Sequence, residues 1–319
     1  MIKPLLFALY VVSAFGGLSA QTPAWRPSPG HTQVPIWPGE VPDAQPVPGP
    51  EDATTTVTES LVAGKPWVMV TNVSRPTMTV YSPKGTNTGA AVVVFPGGGF
   101  KELAIDLEGT EACDWLTSKG ITCVLLKYRV PFSGQYWDER LRREVESKAP
   151  MALEDAQRTV GLVRFHAAEW HIDPHKIGVL GFSAGGYLAA QMSTHFAQRL
   201  YPAVDAADAE SCRPDFAVAI YPGHLSLAEN SFGLNPDIAA HITHQTPPTF
   251  LLQNEDDHVD RVEDSLSYYA ALKRVGVPVE MHLYAEGGHA FGLRRTRFPV
   301  TAWPQLFETW LKTIGMVSE

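Results

Sequence analysis

Continuous apolar runs recur along this chain and alternate with segments of helical periodicity. Residues 92–95 (Val-Val-Val-Phe) and 177–180 (Ile-Gly-Val-Leu) are two of these runs. A strand that is apolar throughout is typical of a parallel sheet with both faces covered. The alternation predicts an α/β fold with a mostly parallel central sheet flanked by helices on both faces. The predicted strands are residues 67–70, 77–81, 91–95, 121–128, 177–181, 216–221, 249–253 and 279–284. The predicted helices are residues 109–118, 151–170, 184–196, 262–275 and 302–313.

The N-terminus is typical of an export signal. Lys3 precedes an apolar run over residues 5–18, and Ala20 is a small residue before a possible cleavage point. The run is short for a spanning helix, so a cleaved signal over residues 1–20 is favoured over a membrane anchor. We therefore expect a secreted or periplasmic protein that has no membrane association after cleavage.

Residues 21–52 are rich in Pro and Gly, which predicts an extended arm. Trp25 and Trp37 suggest that this arm packs onto the body, and a disordered linker is the alternative. The catalytic domain is expected over residues 53–319.

Bulk composition limits the partners. A 45% hydrophobic content is sufficient for a large core, and a formal charge of −9 offers no basic surface for nucleic acid. Of the three cysteines, Cys113 and Cys123 can form a disulfide, with small buried apolar residues as the alternative for all three. The sequence does not indicate an oligomeric state.

The strongest chemical motif is G-x-S-x-G, from Gly181 to Gly185, which lies between a predicted strand and a predicted helix. In that context the motif holds a serine hydroxyl above the sheet as a nucleophile, which makes Ser183 the candidate. A glycine-rich helix start capped by serine is the alternative.

A second loop, Pro96-Gly97-Gly98-Gly99-Phe100, also follows an apolar strand. Such a loop can direct backbone N–H groups at an oxyanion. We assign Gly98, Gly99 and Ala184 as the donors, with Gly97 as the alternate.

An acid and a base follow the last two predicted strands. Asp256 is the first aspartate after residues 249–253 and fits D-x-x-V, although Asp257 and Asp260 lie on the same loop. His289 lies in a glycine-rich loop after the last strand. The order serine, aspartate, histidine is that of α/β-hydrolases.

The other histidines give no convincing metal motif. His166 with His171, or His241 with His244, are possible pairs, but no H-E-x-x-H pattern is present. We therefore expect no catalytic metal and no cofactor.

Together these motifs resemble the secreted α/β-hydrolase esterases related to acetyl-xylan esterases and the dienelactone-hydrolase-like group. The resemblance implies that Ser183, His289 and Asp256 hydrolyse short acyl esters, especially acetyl groups on plant polysaccharides or oligosaccharides. Leu107 departs from the family's Asp-His-Glu-Gly stretch, so a substrate-binding role for that stretch is weakened. The stretches that carry the resemblance are Trp37-Pro38-Gly39, Pro96 to Phe100, Leu126 to Arg129, Leu153 to Arg158, Gly181 to Gly186, and Gly287 to His289.

Two alternatives to an esterase are a peptidase of the prolyl-oligopeptidase type and a non-catalytic hydrolase-fold binding protein. The peptidase is disfavoured because the chain before the core is too short for a propeller domain. The binding protein is disfavoured because all three candidate catalytic residues are present.

Arg129 and Asp155 are expected to form a structural ion pair. The segment 130–149 is either a rim over the site or a solvated loop.

Overall fold

The computed structural model describes residues 24–57, 61–130, 136–138, 143–145, 150–228 and 231–318. The predicted signal peptide, residues 1–20, lies outside the described residues. In chain order the strands are β1 (Gln33–Pro35), β2 (Asp52–Thr55), β3 (Val68–Thr71), β4 (Thr77–Tyr81), β5 (Ala91–Phe95), β6 (Glu102–Ala104), β7 (Thr122–Lys127), β8 (Tyr136–Asp138), β9 (Arg143–Val145), β10 (Ile177–Phe182), β11 (Phe216–Ile220), β12 (Thr249–Asn254) and β13 (Val279–Tyr284). The α-helices are α1 (Glu111–Ser118), α2 (Pro150–Phe165), α3 (Ala184–Thr194), α4 (Pro236–His241), α5 (Val262–Arg274) and α6 (Trp303–Thr313).

The main sheet has eight strands in the order β1-β4-β7-β5-β10-β11-β12-β13. From β7 to β13 every neighbouring pair is parallel, whereas β1 and β4 add an antiparallel edge. Every residue of β5, β7, β10, β11 and β12 is buried, as expected for strands covered on both faces. The predicted mostly parallel α/β sheet is therefore confirmed.

The observed elements differ from the predicted ones mainly at their ends. Helix α1 begins at Glu111 because the preceding residues, Asp106–Thr110, form a π-helical turn. Helix α2 ends at Phe165, five residues before the predicted end at position 170. The chain leaves α2 through a tighter turn, in which Ala167 N–H bonds to the Arg164 carbonyl, and His171 has a φ of 55°. This bond between residues three apart interrupts the helical hydrogen-bond pattern before position 170.

The N-terminal arm packs against the body, as Trp37 suggested. β1 pairs with β4 at the sheet edge, and Ile36 and Trp37 are buried. The indole Nε1 of Trp37 donates to Asp155 Oδ1 at 2.8 Å, and Arg158 Nε donates to the Ile36 carbonyl at 2.9 Å. The arm thereby covers the outer side of α2, which explains why α2 is buried well beyond its apolar stripe.

Arg129 and Asp155 form the predicted structural ion pair. Arg129 Nε lies 2.9 Å from Asp155 Oδ2, and both side chains are almost completely buried. The guanidinium also donates to Glu154 Oε2 at 2.8 Å and to the Met151 carbonyl at 3.0 Å. Because each buried charge has partners, this group joins the end of β7 to α2 without leaving an isolated charge.

Cys113 and Cys123 form a disulfide that links α1 to β7, and Cys212 is a buried free thiol.

Among the described residues, no helix is both long and apolar enough to cross a bilayer. In the segment 130–149, the described part contains the antiparallel pair β8 and β9. The rest of that segment, and with it the question of a rim over the site, lies outside the described residues.

Candidate active site

The candidate site lies at the carboxyl ends of the parallel strands. The glycine-rich loop follows β5, and Ser183 follows the adjacent β10. The acidic loop follows β12, and His289 lies beyond the end of β13. Because parallel strands end at the same edge, residues far apart in the sequence meet there, as is general for open α/β sheets.

Ser183 occupies a strained turn between β10 and α3. Its backbone has φ 52° and ψ −121°, a conformation that L residues rarely adopt. A Cβ added at Gly181 would lie 1.8 Å from the Gly185 carbonyl oxygen, and one added at Gly185 would lie 2.1 Å from the Phe95 carbonyl oxygen. Only glycine fits at these two positions, which is the steric reason for the two glycines of the G-x-S-x-G motif.

His289 lies within hydrogen-bond distance of the serine. Its Nε2 is 3.0 Å from Ser183 Oγ. Its Nδ1 is 2.7 Å from a carboxylate oxygen of Asp257, a residue that is only 3% exposed. Since the carboxylate can only accept, Nδ1 carries the proton and Nε2 has a lone pair directed at the hydroxyl. This arrangement can transfer the serine proton to the histidine.

The structure corrects the choice of acid, because Asp257 and not Asp256 contacts the His289 ring. The Asp257 carboxylate also accepts from the amides of Val259 and Asp260 and from Gln253 Nε2, at 2.9, 3.0 and 3.1 Å. It is therefore held firmly in place beneath the histidine.

Asp256 points to the backbone of the histidine loop. Its Oδ1 accepts from the amides of Gly287 and Gly288 at 3.0 and 2.8 Å. The prediction of Asp256 was wrong because β12 extends to Asn254 and a turn follows it, so the first aspartate after the strand is not the one directed at the ring. The two carboxylates point to different groups: Asp256 contacts the loop backbone, and Asp257 contacts the imidazole ring.

The predicted oxyanion donors lie on two segments that meet above the sheet. Gly98 and Gly99 have φ values of 132° and 61°, which turn the loop sharply after β5. No hydrogen bond within the described part of the chain occupies the amide N–H groups of Gly98, Gly99 or Ala184. By contrast, Gly97 N–H donates to Glu108 Oε2 at 2.7 Å. Gly97 is therefore disfavoured as the alternate donor, and the other three stay the predicted set.

Glu108 is a buried carboxyl group that sequence reasoning did not single out. It is 1% exposed, and besides binding Gly97 N–H it accepts from the Tyr221 hydroxyl through Oε1 at 2.8 Å. Tyr221 Oη in turn accepts from Gly292 N–H at 3.1 Å, and the Tyr221 ring lies 4.8 Å from the His289 ring. Glu108 thus connects the glycine-rich loop to the histidine loop.

Burial raises the pKa of Glu108, and its hydrogen bonds from Tyr221 and Gly97 partly oppose that rise. The Asp106-Leu107-Glu108-Gly109 stretch was a sequence signal for this region. It gave no role to Glu108, because the contact depends on the π-helical turn.

Asp260 places a second carboxylate beside the serine and histidine. Its Oδ2 lies 3.2 Å from Ser183 Oγ and 3.7 Å from His289 Nε2. Burial raises the pKa of Asp260, while the charge of His289 opposes that rise.

Several opposing effects set the pKa of His289. Burial lowers it, but the hydrogen bond and charge of Asp257, followed by the charges of Asp260 and Glu108, outweigh burial, so the pKa is raised above its ordinary value. The base therefore gains its proton at a higher pH than an ordinary histidine.

A family model described as alpha/beta hydrolase fold matches residues 140–293. The chain is similar to the crystal structure of an acetyl ester-xyloside bifunctional hydrolase from Caldicellulosiruptor lactoaceticus, at 31% identity and a TM-score of 0.70. That match covers 94% of this chain and 100% of the other. The chain belongs to the α/β-hydrolase family.

Two curated proteins are similar to parts of this chain. An acetylxylan esterase from Xylanibacter ruminicola is 27% identical over 262 residues, which is 76% of this chain and 49% of that protein. An endo-1,4-beta-xylanase B from Butyrivibrio fibrisolvens is 26% identical over 225 residues, 65% of this chain and 33% of that protein. The chain thus spans half or less of the length of these curated relatives.

A thermophilic esterase from Thermogutta terrifontis shares the α/β-hydrolase fold, with 22% identity, a TM-score of 0.62, and coverage of 77% of this chain and 91% of that one. The resemblance drawn from the motifs, to acetyl-xylan-esterase-related α/β-hydrolases, is confirmed by the sequence and structure matches.

Proposed function

We propose that this chain is a carboxylic-ester hydrolase that works through a serine acyl-enzyme. The observation that carries the proposal is the continuous contact from Ser183 Oγ to His289 Nε2, and from His289 Nδ1 to Asp257 Oδ2. A nucleophile, a base and an orienting acid at hydrogen-bond distance are the requirements for this chemistry. The strained turn at Ser183 supports the same role, because such strain persists at functional sites.

In the first half of the reaction, Ser183 Oγ attacks the ester carbonyl carbon and its proton passes to His289 Nε2. The carbonyl oxygen becomes an oxyanion, for which the amides of Gly98, Gly99 and Ala184 are the proposed donors. As the tetrahedral intermediate collapses, the bond to the alcohol breaks and His289 returns the proton to the leaving oxygen. A water molecule then repeats the sequence on the acyl-enzyme and releases the acid and the free serine.

We propose acetyl and other short acyl groups on carbohydrates as the substrates. One support is the group of relatives, whose names describe an acetylxylan esterase and an acetyl ester-xyloside hydrolase. Another is an open groove of about 490 Å³ that reaches the catalytic loop at Asp260. Polar side chains line most of this groove, and hydroxyl-rich alcohols suit such a lining. The groove residues are His224, Ser226, Ala228, His258, Val259, Asp260, Arg261 and Asp264.

The direct test measures acetate release from acetylated xylan, acetylated pectin and free sugar acetates, with a feruloyl ester and a dipeptide amide alongside. We expect release from the acetylated carbohydrates and none from the dipeptide amide. Ser183→Ala is the matched control, and a fluorophosphonate probe should label the wild type but not this variant. Absence of labelling together with absence of acetate release would reject the proposal and favour a non-catalytic binding protein.

We also propose export, with cleavage after residue 20, an arm over residues 21–52 and a catalytic domain over 53–319. The Cys113–Cys123 disulfide supports export, since disulfides persist in oxidising compartments. N-terminal sequencing of the protein recovered from culture medium or periplasm tests the cleavage point.

A further inference from the structure

Three metal-ligating side chains meet at the far end of helix α3. They are His195, which caps the end of α3, and Asp237 and His241 of helix α4. A ligand atom from each lies within 4.8 Å of a ligand atom from both of the others. Asp237 and His241 are four residues apart, so they lie on one face of their helix.

Hydrogen bonds fix the tautomer of both imidazoles. His195 Nδ1 lies 3.2 Å from the Gln191 carbonyl oxygen, and His241 Nδ1 lies 2.7 Å from the Asp237 carbonyl oxygen. Because a carbonyl only accepts, we assign the proton of each ring to Nδ1. Each Nε2 is then left with a free lone pair, which is the atom that a metal binds.

The hydroxyl of Thr194 supports this assignment for His195. Thr194 Oγ1 donates to the Ala190 carbonyl oxygen at 2.9 Å. Its lone pairs can therefore accept the N–H of His195 Nδ1, which lies 2.9 Å away. Metal-binding histidines typically donate their second ring N–H to a carbonyl or carboxylate in this way.

The ligand atoms of the three side chains lie close to one another. His195 Nε2 lies 3.5 Å from Asp237 Oδ2, and the two imidazole centroids are 4.0 Å apart with planes 35° from parallel. Nitrogen and carboxylate ligands bind zinc at about 2.0–2.2 Å, which places neighbouring ligand atoms roughly 3.3–3.5 Å apart in a tetrahedron. Ligand atoms that lie up to 4.8 Å apart must approach one another by about 1.3–1.5 Å to complete this geometry. Asp237 is partly exposed and His241 is exposed, which leaves room for that approach.

We propose that His195, Asp237 and His241 bind a divalent transition metal, best matched by zinc, with the fourth position left for water. Two imidazoles and one carboxylate are ligands that zinc favours. Twelve residues of helical rise, about 18 Å, separate His195 from Ser183, so the metal takes no part in ester hydrolysis. Its effect is to join the end of α3 to α4.

The first experiment is isothermal titration of the purified, EDTA-treated chain with ZnCl₂. We expect binding of one equivalent in the wild type, and loss of that binding in His195→Ala and Asp237→Asn. His244→Ala is the matched control, because this exposed histidine lies three residues beyond His241 and outside the cluster. Titration with CoCl₂ should give the visible absorption of a low-coordinate cobalt site in the wild type and the control variant alone.

Zinc should also raise the thermal midpoint of the wild type. The expected rise is about 2 °C or more at a hundredfold excess over the dissociation constant, and none is expected in the two ligand variants. Circular dichroism checks that these variants are folded. Absence of zinc binding by the wild type, or unchanged binding in both ligand variants, overturns the proposal and leaves the cluster without a metal-binding role. These readouts do not depend on hydrolysis, so they stand or fall separately from the esterase proposal.

Discussion

Replacement of Asp257 by asparagine tests the assignment of the catalytic acid most directly. The wild-type carboxylate accepts from His289 Nδ1 at 2.7 Å and from two backbone amides through its other oxygen. In Asp257→Asn, the amide oxygen can keep the backbone contacts, and the NH₂ group then faces His289. That ring must present a lone pair at Nδ1, so its proton moves to Nε2, which can no longer accept from the serine.

The magnitude follows from this change of tautomer. In serine proteases with a Ser-His-Asp triad, the equivalent aspartate-to-asparagine substitution leaves the geometry intact but lowers turnover about 10⁴-fold. The same change also removes a negative charge that raises the pKa of His289. We therefore expect Asp257→Asn to lose roughly 10⁴-fold in kcat for p-nitrophenyl acetate while remaining folded.

Asp256→Asn is the matched control, since it is the same substitution one residue earlier. Asparagine keeps an oxygen for the Gly287 and Gly288 amides, so we expect a loss of about tenfold or less. Both variants are assayed at several pH values and checked by circular dichroism. A dead Asp256→Asn variant beside an active Asp257→Asn variant would refute the reasoning and restore Asp256 as the acid.

Four further predictions concern the same site. Ser183→Ala should fold normally but lose on the order of 10⁴–10⁶ in turnover, and retention of a tenth of the wild-type rate would exclude Ser183 as nucleophile. The acid limb of kcat/KM should lie above the pH expected for an ordinary histidine, about 6.5, because the base is inactive when protonated and its pKa is raised. Asp260→Asn removes one of the charges that raise this pKa, so the limb should move to lower pH, and a shift to higher pH would contradict the assignment. Glu108→Ala should lower kcat by about 10²-fold with little change in KM, because Gly97 N–H loses its acceptor. Glu108→Gln should recover much of the lost kcat, because the amide oxygen again accepts from Gly97 N–H.

The fold and the strained turn at Ser183 could be predicted because their signals are local. A continuous apolar strand indicates burial on both faces of the sheet. The two glycines on either side of Ser183 are required by close contacts around that turn, and the five-residue motif shows them directly. His289 could be predicted because its loop directly follows a strand whose end was clear. Each of these inferences needed only the chain direction and neighbours along the sequence.

The remaining parts of the site depend on turns whose shape the sequence pattern does not encode. Glu108 reaches Gly97 only because the chain makes a π-helical turn before α1. Asp260 is brought beside Ser183 by the turn that Asp257 itself stabilises through the Asp260 amide. The cluster of His195 with α4 likewise joins residues more than forty positions apart, which motif spacing within the sequence does not reveal.

The different contacts of Asp256 and Asp257 show how the histidine loop is held. One carboxylate binds the backbone of that loop at Gly287 and Gly288, and its neighbour binds the ring of His289. Both contacts come from a single turn after β12, so the position and the orientation of the base are set by the same short segment. A substitution that merely loosens this turn should therefore change kcat through the geometry of His289, even though it touches neither the nucleophile nor the ester.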